Sequence, residues 1–217
     1  MALPEYSKII NRITRNKFKP FGITQKGQSR LWLDDRGWFT TVIEFQPFLG
    51  IQGTALNIGV NFHWCIQDYF SFDIGCRQDV GFIEYRKNDE KLLNEVEKLC
   101  EISIRKILEY RNMLKNIYTA KYVILNHTFT SEEIWGSYHK GTICGLTKDF
   151  TGLNKYYQKL LNETHPGEWL TELKQKTMEL LIKTENEIQF KEYVVEIIKK
   201  TRKLKKLPET EMYFDVE

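Results

Sequence analysis

Two pairings of histidine with cysteine are the first places where this sequence could carry chemistry. His63 and Cys65 would share one face of an extended strand, and Cys76 follows in the next stretch of the chain. Imidazole and thiolate both bind zinc, but the interval between the two cysteines matches no usual ligand spacing, so a metal site here is only an alternative. We expect instead that the four cysteines of the chain are reduced and partly buried, and that the protein needs no metal or nucleotide cofactor.

His139 and Cys144 form the second pairing, five residues apart in the segment "SYHKGTICG". A cysteine beside a histidine can act as a nucleophile, because the imidazole accepts the thiol proton. No third group that would orient His139 is identifiable, however, and the glycines of this segment are typical of a turn between helices. We therefore expect no catalytic pair here.

Three aspartates and one glycine-containing loop are the remaining candidates for catalysis. Asp68, Asp73 and Asp79 could form the carboxylate cluster of a metal-dependent nuclease, but Asp73 alternates with Ser71 and Tyr69, which indicates a solvated strand face. The segment "GITQKGQS" has neither the spacing of a phosphate-binding P-loop nor a strand before it. These patterns predict no catalytic residue.

Basic residues are concentrated at the two ends of the chain. The net charge is only +3 over 217 residues, which by itself does not imply a nucleic-acid partner. The first 30 residues nevertheless contain seven cations, and the segment "KKTRKLKK" covers Lys199 to Lys206. The cations that could contact a phosphate backbone or a partner protein are Lys8, Arg12, Arg15, Lys19, Lys199, Lys200, Arg202 and Lys203.

The first four of these cations follow steps of four, three and four residues, which places them on one face of a helix. We call Lys8, Arg12, Arg15 and Lys19 the basic stripe. Nearby aromatic residues could stack on bases, as single-strand-binding proteins require. They are Trp32, Trp38, Phe39 and Trp64. Since no RNP-type motif and no helix-turn-helix spacing is visible, nucleic-acid binding is the alternative function rather than the leading one.

The elements that must position these residues change character along the chain. A helix is predicted from about Glu5 to Phe18, and alternating runs joined by turn residues then predict an antiparallel meander. In the run "ALNIGVNF" we expect one face to be buried, with Leu56, Ile58, Val60 and Phe62, together with Ile43 and Phe45. The opposite face would be polar, with Glu44, Gln46, Asn57 and Asn61.

From Asp89 to about Tyr118 the apolar spacing predicts a helix, and a shorter helical segment follows Ser131. After a break at Pro166-Gly167 the last helical stretch runs from Glu168 towards Leu207, as two helices or with a kink near Thr184–Asn186. The last residues, "EMYFDVE", alternate and could form a late strand or a frayed tail. We predict an α+β fold, in which an N-terminal helix and an antiparallel β meander pack with a C-terminal helical lobe. The boundary falls between residues 1–86 and 87–217, and because no Pro/Gly/Ser linker separates them we expect one structural unit.

The N-terminal third of the sequence resembles a bacterial family of domains of unknown function. Members open with a helix, then a segment with a proline, a glycine and a Lys-Gly pair, then a strand ending in Gln, then a strand with Asn-x-Gly-Val. The matching residues are Pro20, Gly22, Lys26, Gly27, Trp32, Gln46, Asn57, Gly59 and Val60, and the departure is Ile23, where an aromatic residue is usual. The resemblance covers about the first 65 residues. It implies an α+β fold and a gene often found beside toxin-immunity or defence systems, and it supplies no catalytic residue.

These patterns favour a non-enzymatic protein-interaction module that acts through an exposed sheet face or the helical lobe. No run approaches the roughly 18 apolar residues of a membrane span, and the segment "MALPEYSKIINR" lacks the apolar core of a signal peptide. We therefore expect a cytoplasmic protein without a membrane partner. The resemblance above implies an accessory role in immunity or defence. An enzymatic function comes third, since no catalytic set is identifiable.

Overall fold

A computed structural model describes residues 4–210 and Phe214 of the chain. The chain divides into two compact units, Met1–Phe62 with Phe70–Asn112 and His63–Tyr69 with Met113–Glu217. Within the described residues there are seven α-helices and six strands, all paired antiparallel, so the predicted α+β class is confirmed. The division falls after Asn112 rather than at the predicted residue 86, because the long helix that follows the strands belongs to the strand-rich unit.

The first unit begins with helix α1 (Glu5–Phe18), whose apolar stripe is buried as its spacing predicts. A short 3₁₀ turn follows, and Gly22 then reverses the chain at a φ of 72°, a left-handed conformation that glycine adopts without strain. The strands run in the order β1-β2-β3-β4-β5, with β6 also paired to β4. Their bounds are β1 Thr24–Gln25, β2 Leu31–Asp35, β3 Phe39–Phe48, β4 Ile51–Phe62, β5 Ile74–Arg77 and β6 Ile83–Glu84.

Strands β3 and β4 form the centre of the sheet, with Ile43 opposite Ile58 and Phe45 opposite Leu56. The predicted apolar face is confirmed, because Ile43, Phe45, Leu56, Ile58, Val60 and Phe62 are all fully buried. The opposite face is largely covered as well: Thr40 and Asn61 are buried there beside Val42. Gly59 has to lack a side chain, since a Cβ would lie 2.4 Å from the Phe72 ring.

Helix α2 (Asp89–Met113) packs in the same unit and is tied to strand β2 by charge. The guanidinium of Arg111 lies 2.7 Å from Asp34, whose carboxylate is almost completely buried, and donates a further hydrogen bond to the carbonyl of Phe21. The helix ends at Met113 instead of continuing to Tyr118, as its apolar spacing had indicated. Asn116 stops it, because its side chain caps the next helix through the N–H groups of Tyr118 and Thr119.

The second unit is helical apart from the segment His63–Tyr69. Its helices are α3 Ile117–Asn126, α4 Ser137–Leu146, α5 Phe150–Asn162, α6 Glu168–Ile182 and α7 Glu187–Leu204. The break predicted between the last two is confirmed as a 3₁₀ turn, after which Asn186 caps α7. The late strand predicted at "EMYFDVE" lies outside the described residues, apart from Phe214.

Helix α4 corrects the prediction of a turn at the glycine-rich segment. Every residue from Ser137 to Leu146 is buried, and the glycines are the positions where neighbouring helices approach most closely. A Cβ at Gly141 would lie 2.3 Å from the ring of Tyr157, and one at Gly145 would lie 2.4 Å from the ring of Phe190. The glycines therefore allow close packing of a central helix rather than a change of chain direction.

Candidate functional site

The basic stripe lies on one exposed side of helix α1, as its spacing predicts. Lys8 pairs with Glu5 at 2.9 Å, and Arg15 donates a hydrogen bond to the side chain of Gln25 at 2.7 Å. Arg12 and Lys19 contact no acidic group within the described part of the chain. Two of the four cations are therefore available to an anionic partner without breaking a bond.

The three other cations near the start of the chain do not extend this stripe. Lys17 pairs with Glu97 of α2 at 3.2 Å, which joins the first helix to the second. Arg30 donates to the carbonyl of Gly53, and Lys26 lies over the ring of Phe70. Each of them stabilises the first unit.

The C-terminal cluster, residues 199–206, is divided by its helix into an exposed and a buried side. Lys199, Lys200 and Lys203 are exposed, as predicted. Arg202 is only 4% exposed and donates to the carbonyl of Pro208 at 2.7 Å, so unlike the three lysines it is not an exposed contact for a partner. Helical periodicity alone explains the difference, because every third or fourth residue of α7 must face the core.

The polar residues of the central strands form a network instead of a free surface. Asn57 donates to the side chains of Glu44 and Gln46, and Arg77 of β5 donates to Gln46 and Asn57. Asn61 lies further along the same face, where its amide contacts Ser71 and Asp73. Asn57 and Asn61 are buried while Glu44 and Gln46 are half-buried, which corrects the expectation of an exposed polar sheet face.

The aromatic residues proposed to stack on bases are core residues. Trp32, Trp38, Phe39 and Trp64 are at most 2% exposed, so none of them presents a ring face to a base. Trp32 and Phe39 lie in strands whose two faces are both covered, so alternation along the strand does not reveal their burial. Trp38 and Trp64 lie just outside the strands, where the sequence carries no periodic signal of burial.

The segment around His63 places cations where a metal would have to bind. The side chain of His63 is buried, and its Nδ1 lies 3.3 Å from Nζ of Lys205. Burial, with the charges of Lys205 and Arg202, holds the pKa of His63 well below its ordinary value. Cys65 belongs to the same unit and is buried, whereas Cys76 belongs to the other unit and is exposed. Among the described residues no group of three or more His, Cys, Asp or Glu side chains could hold a metal ion.

Helix α4 separates the side chains of His139 and Cys144. His139 and Cys144 are five residues apart on α4, which directs them to different sides. Nδ1 of His139 accepts a hydrogen bond from the indole N–H of Trp64 at 2.9 Å. Burial raises the pKa of Cys144 to about 12, so the thiol stays protonated at neutral pH.

The three aspartates considered as a nuclease cluster belong to two different units. Asp73 accepts hydrogen bonds from the backbone N–H of Phe62 and from Ser71, which places it in the structure of the first unit. Asp79 is exposed in that unit, and Asp68 belongs to the other one. Asp73 is half-buried, which corrects the prediction from alternation that it lies on a solvated strand face.

An exposed apolar surface that the sequence analysis missed lies at the end of the β3–β4 hairpin. Leu49 is fully exposed, at 103% of its reference area, and Phe48 and Ile51 are 38% and 49% exposed. The rings of Phe48 and Phe82 pack edge-to-face at 4.9 Å. We call Phe48, Leu49, Ile51 and Phe82 the hairpin tip. The sequence signal was "PFLGI", a turn that carries apolar residues where polar ones are usual.

A groove in the second unit was also missed. It has a volume of 690 Å³ and lies among the segment 66–69, the start of α4 and helices α6 and α7. Its aromatic wall is formed by Tyr69, Trp135, Tyr138 and Trp169, and Leu173 adds apolar surface. The indoles of Trp135 and Trp169 are stacked, with ring centroids 5.6 Å apart and planes inclined by 11°. We call this site the aromatic groove.

The aromatic groove is held in place by a buried array behind it. Trp135 stacks on His139, which accepts from Trp64, and the hydroxyl of Tyr138 donates to the carbonyl of Trp64. Trp135 itself lies in a single π-helical turn, Glu132–Gly136, an irregularity that often marks functional sites. The groove wall is therefore packed against buried side chains, even though Tyr69, Trp135 and Trp169 are at least partly exposed.

Comparison of the chain with protein-family models, curated proteins and solved structures finds no match. The resemblance to a bacterial family of unknown function therefore stays a prediction. No helix in the described residues is both long and apolar enough to cross a membrane.

Proposed function

We propose that this protein is a non-enzymatic interaction module that binds another protein through the hairpin tip. The observation that carries this proposal is Leu49, a fully exposed leucine flanked by the partly exposed Phe48 and Ile51. Single exposed apolar residues are ordinary, but several exposed apolar residues together at one hairpin turn are typical of a protein–protein contact.

The tip is built to present these side chains. Gly50 takes the left-handed conformation, at a φ of 79°, that allows the chain to turn directly after Leu49. The guanidinium of Arg77 lies over the ring of Phe48 at 5.2 Å, and the Phe82 ring supports Phe48 from the side. An apolar anchor with a cation at its edge suits a partner with a hydrophobic pocket and a polar rim.

The kind of partner and the cellular location are inferred from the sequence rather than from the geometry of the hairpin tip. We assign the protein to the cytoplasm, with another protein as its partner. The resemblance of its first 65 residues adds a bacterial context and an accessory role in immunity or defence.

The experiment is affinity capture from the native host with three baits. The wild-type protein should retain a defined partner at moderate salt, and Leu49→Asp should lose it. Tyr122→Asp is the matched control, because Tyr122 is 75% exposed on α3 and lies outside the tip. Equal retention by the two variants would refute the role of the tip. Sedimentation at rising concentration tests in parallel whether the partner is a second copy of the chain.

Nucleic-acid binding through the basic stripe is the second candidate, favoured by the exposed Arg12 and Lys19. A phosphate-driven complex weakens steeply with salt, since each neutralised phosphate releases a counterion. Filter binding with single- and double-stranded nucleic acid at low and moderate salt tests it. Micromolar binding that is lost in the Arg12→Glu, Arg15→Glu double variant would favour this function over the first, and no binding at low salt would eliminate it.

A further inference from the structure

The aromatic groove has the dimensions and the wall of a small-molecule site. Its 690 Å³ falls inside the range of about 300–1,000 Å³ that ligand pockets occupy, and its wall combines rings with a few polar groups. Aromatic rings prefer offset-stacked or edge-to-face partners, so a wall of tyrosine and tryptophan favours a ligand that itself carries an aromatic ring. Tyr69, at 59% exposed, offers such a ligand an accessible ring.

Charged groups at the groove would determine how a ligand is oriented in it. Asp68 and Glu172 line it and can accept hydrogen bonds from amino groups, while Lys176 and Lys200 supply positive charge. Lys176 is already paired with Glu179 at 2.7 Å. Lys200 is exposed on helix α7.

Lys200 also lines a second groove of 650 Å³, which we call the basic groove. Lys199, Arg202 and Lys203 line it too, against the single acidic residue Glu209. The lining of the aromatic groove has two acidic and two basic side chains, whereas the lining of the basic groove has four cations and one acidic side chain. A ligand that spans Lys200 should therefore carry its ring on one side and an anionic group on the other.

We propose that the two grooves together bind a free mononucleotide, with the base in the aromatic groove and the phosphate in the basic groove. Asp68 and Glu172 accept hydrogen bonds from the exocyclic amine of the base, the pairing that carboxylates make with cytosine in nucleic-acid recognition. Lys199, Lys200 and Lys203 bind the phosphate as point charges. A quaternary ammonium ligand, the other usual guest of aromatic walls, is disfavoured by these lysines. The nucleotide is a bound ligand and not the cofactor of a reaction.

Calorimetric titration of the full chain with AMP, CMP, GMP and UMP tests this assignment. We expect binding of at least one amino-bearing nucleotide, and the weakest binding for UMP, whose base lacks an exocyclic amine. The matching nucleoside should bind at least about tenfold more weakly, a difference of about 1.4 kcal/mol. Intrinsic fluorescence gives a second readout, because Trp135 and Trp169 are the partly exposed indoles while Trp32, Trp38 and Trp64 are buried.

Two variants and one control connect the binding to the grooves. Trp169→Ala and Lys200→Glu should each lower the affinity for the nucleotide by at least about tenfold. Lys115 is an exposed lysine of the same unit outside both grooves, and Lys115→Glu should leave the affinity unchanged. Lys200→Glu alters an exposed side chain, so it remains informative if Trp169→Ala fails to fold. The proposal is overturned if no nucleotide binds at millimolar concentration, or if both variants bind like the wild type. It is equally overturned if choline binds more tightly than any nucleotide, or if a single-stranded oligonucleotide binds more than tenfold more tightly than its monomer.

Discussion

Trp64 donates its indole N–H to Nδ1 of His139 at 2.9 Å, and both side chains are buried. Because Nδ1 is the acceptor, the imidazole is neutral and carries its proton on Nε2. The same ring stacks on Trp135 and so supports the wall of the aromatic groove. His139 is therefore a structural residue of the second unit and not the base of a Cys144 nucleophile.

The first prediction follows from this bond. His139→Ala leaves the Trp64 N–H without its acceptor and opens a cavity, so the free energy of unfolding should fall by about 2–4 kcal/mol in urea titrations. His165→Ala is the matched control, since His165 is exposed, and it should change stability by less than about 0.5 kcal/mol. Equal effects of the two substitutions would contradict the structural role of His139.

The four thiols should differ sharply in reactivity. Cys76 is exposed, whereas Cys65, Cys100 and Cys144 are buried, and burial raises the pKa of both Cys100 and Cys144 to about 12. Only the thiolate is nucleophilic, so a short treatment of the native protein with an alkylating reagent at neutral pH should label Cys76 first. Peptide mapping measures this. Rapid labelling of Cys144 would restore the catalytic interpretation of the "SYHKGTICG" segment.

Stability should fall in mild acid because of His63. Its pKa in the folded protein is lowered by burial first and then by the charges of Lys205 and Arg202, so the unfolded chain binds the proton more readily. Stability is then retained above the unfolded pKa of about 6.5 and lost as pH falls below it. Between pH 7.5 and 5.5 the wild-type protein should lose about 1 kcal/mol more than His63→Gln. Parallel pH profiles of the two proteins would show that the imidazole does not titrate in this way.

Sequence patterns predicted the parts of the fold in which a single periodicity dominates. The alternation of Leu56, Ile58, Val60 and Phe62 identified the buried sheet face, and the spacing of Lys8, Arg12, Arg15 and Lys19 identified an exposed helix face. Both signals depend on contacts within one element. They needed no knowledge of what the element packs against.

Tertiary packing decided the parts that the sequence did not predict. Glycines at 141 and 145 are typical of a turn, and only the rings of Tyr157 and Phe190 beside them show that they belong to a buried helix. Trp135 and Trp169 are 34 positions apart in the sequence, and nothing in the local pattern indicates that they stack. Whether the basic stripe and the C-terminal cluster lie apart, as we expect from their like charge, stays a prediction.

The close packing of helix α4 can be tested at Gly145. An alanine there gains helix propensity of about 1 kcal/mol, but its Cβ would lie 2.4 Å from the Phe190 ring and 2.5 Å from Leu153. Overpacking of this kind costs about 1–3 kcal/mol, so we expect a lower free energy of unfolding. Asn154→Ala on the exposed side of α5 is the control and should be neutral or stabilising. A stabilised Gly145→Ala protein would show that the helix has room around it.

Photo-crosslinking at single positions tests whether the hairpin tip contacts a partner protein. A photoreactive phenylalanine analogue at Leu49 places the reactive group on the hairpin tip, and the same analogue at Tyr122 places it on an exposed surface elsewhere. We expect one defined covalent adduct with a host protein from position 49, none from position 122, and loss of the adduct when Ile51→Asp is added. No adduct at position 49, or the same adducts at both positions, would contradict the proposal that the hairpin tip binds a protein partner.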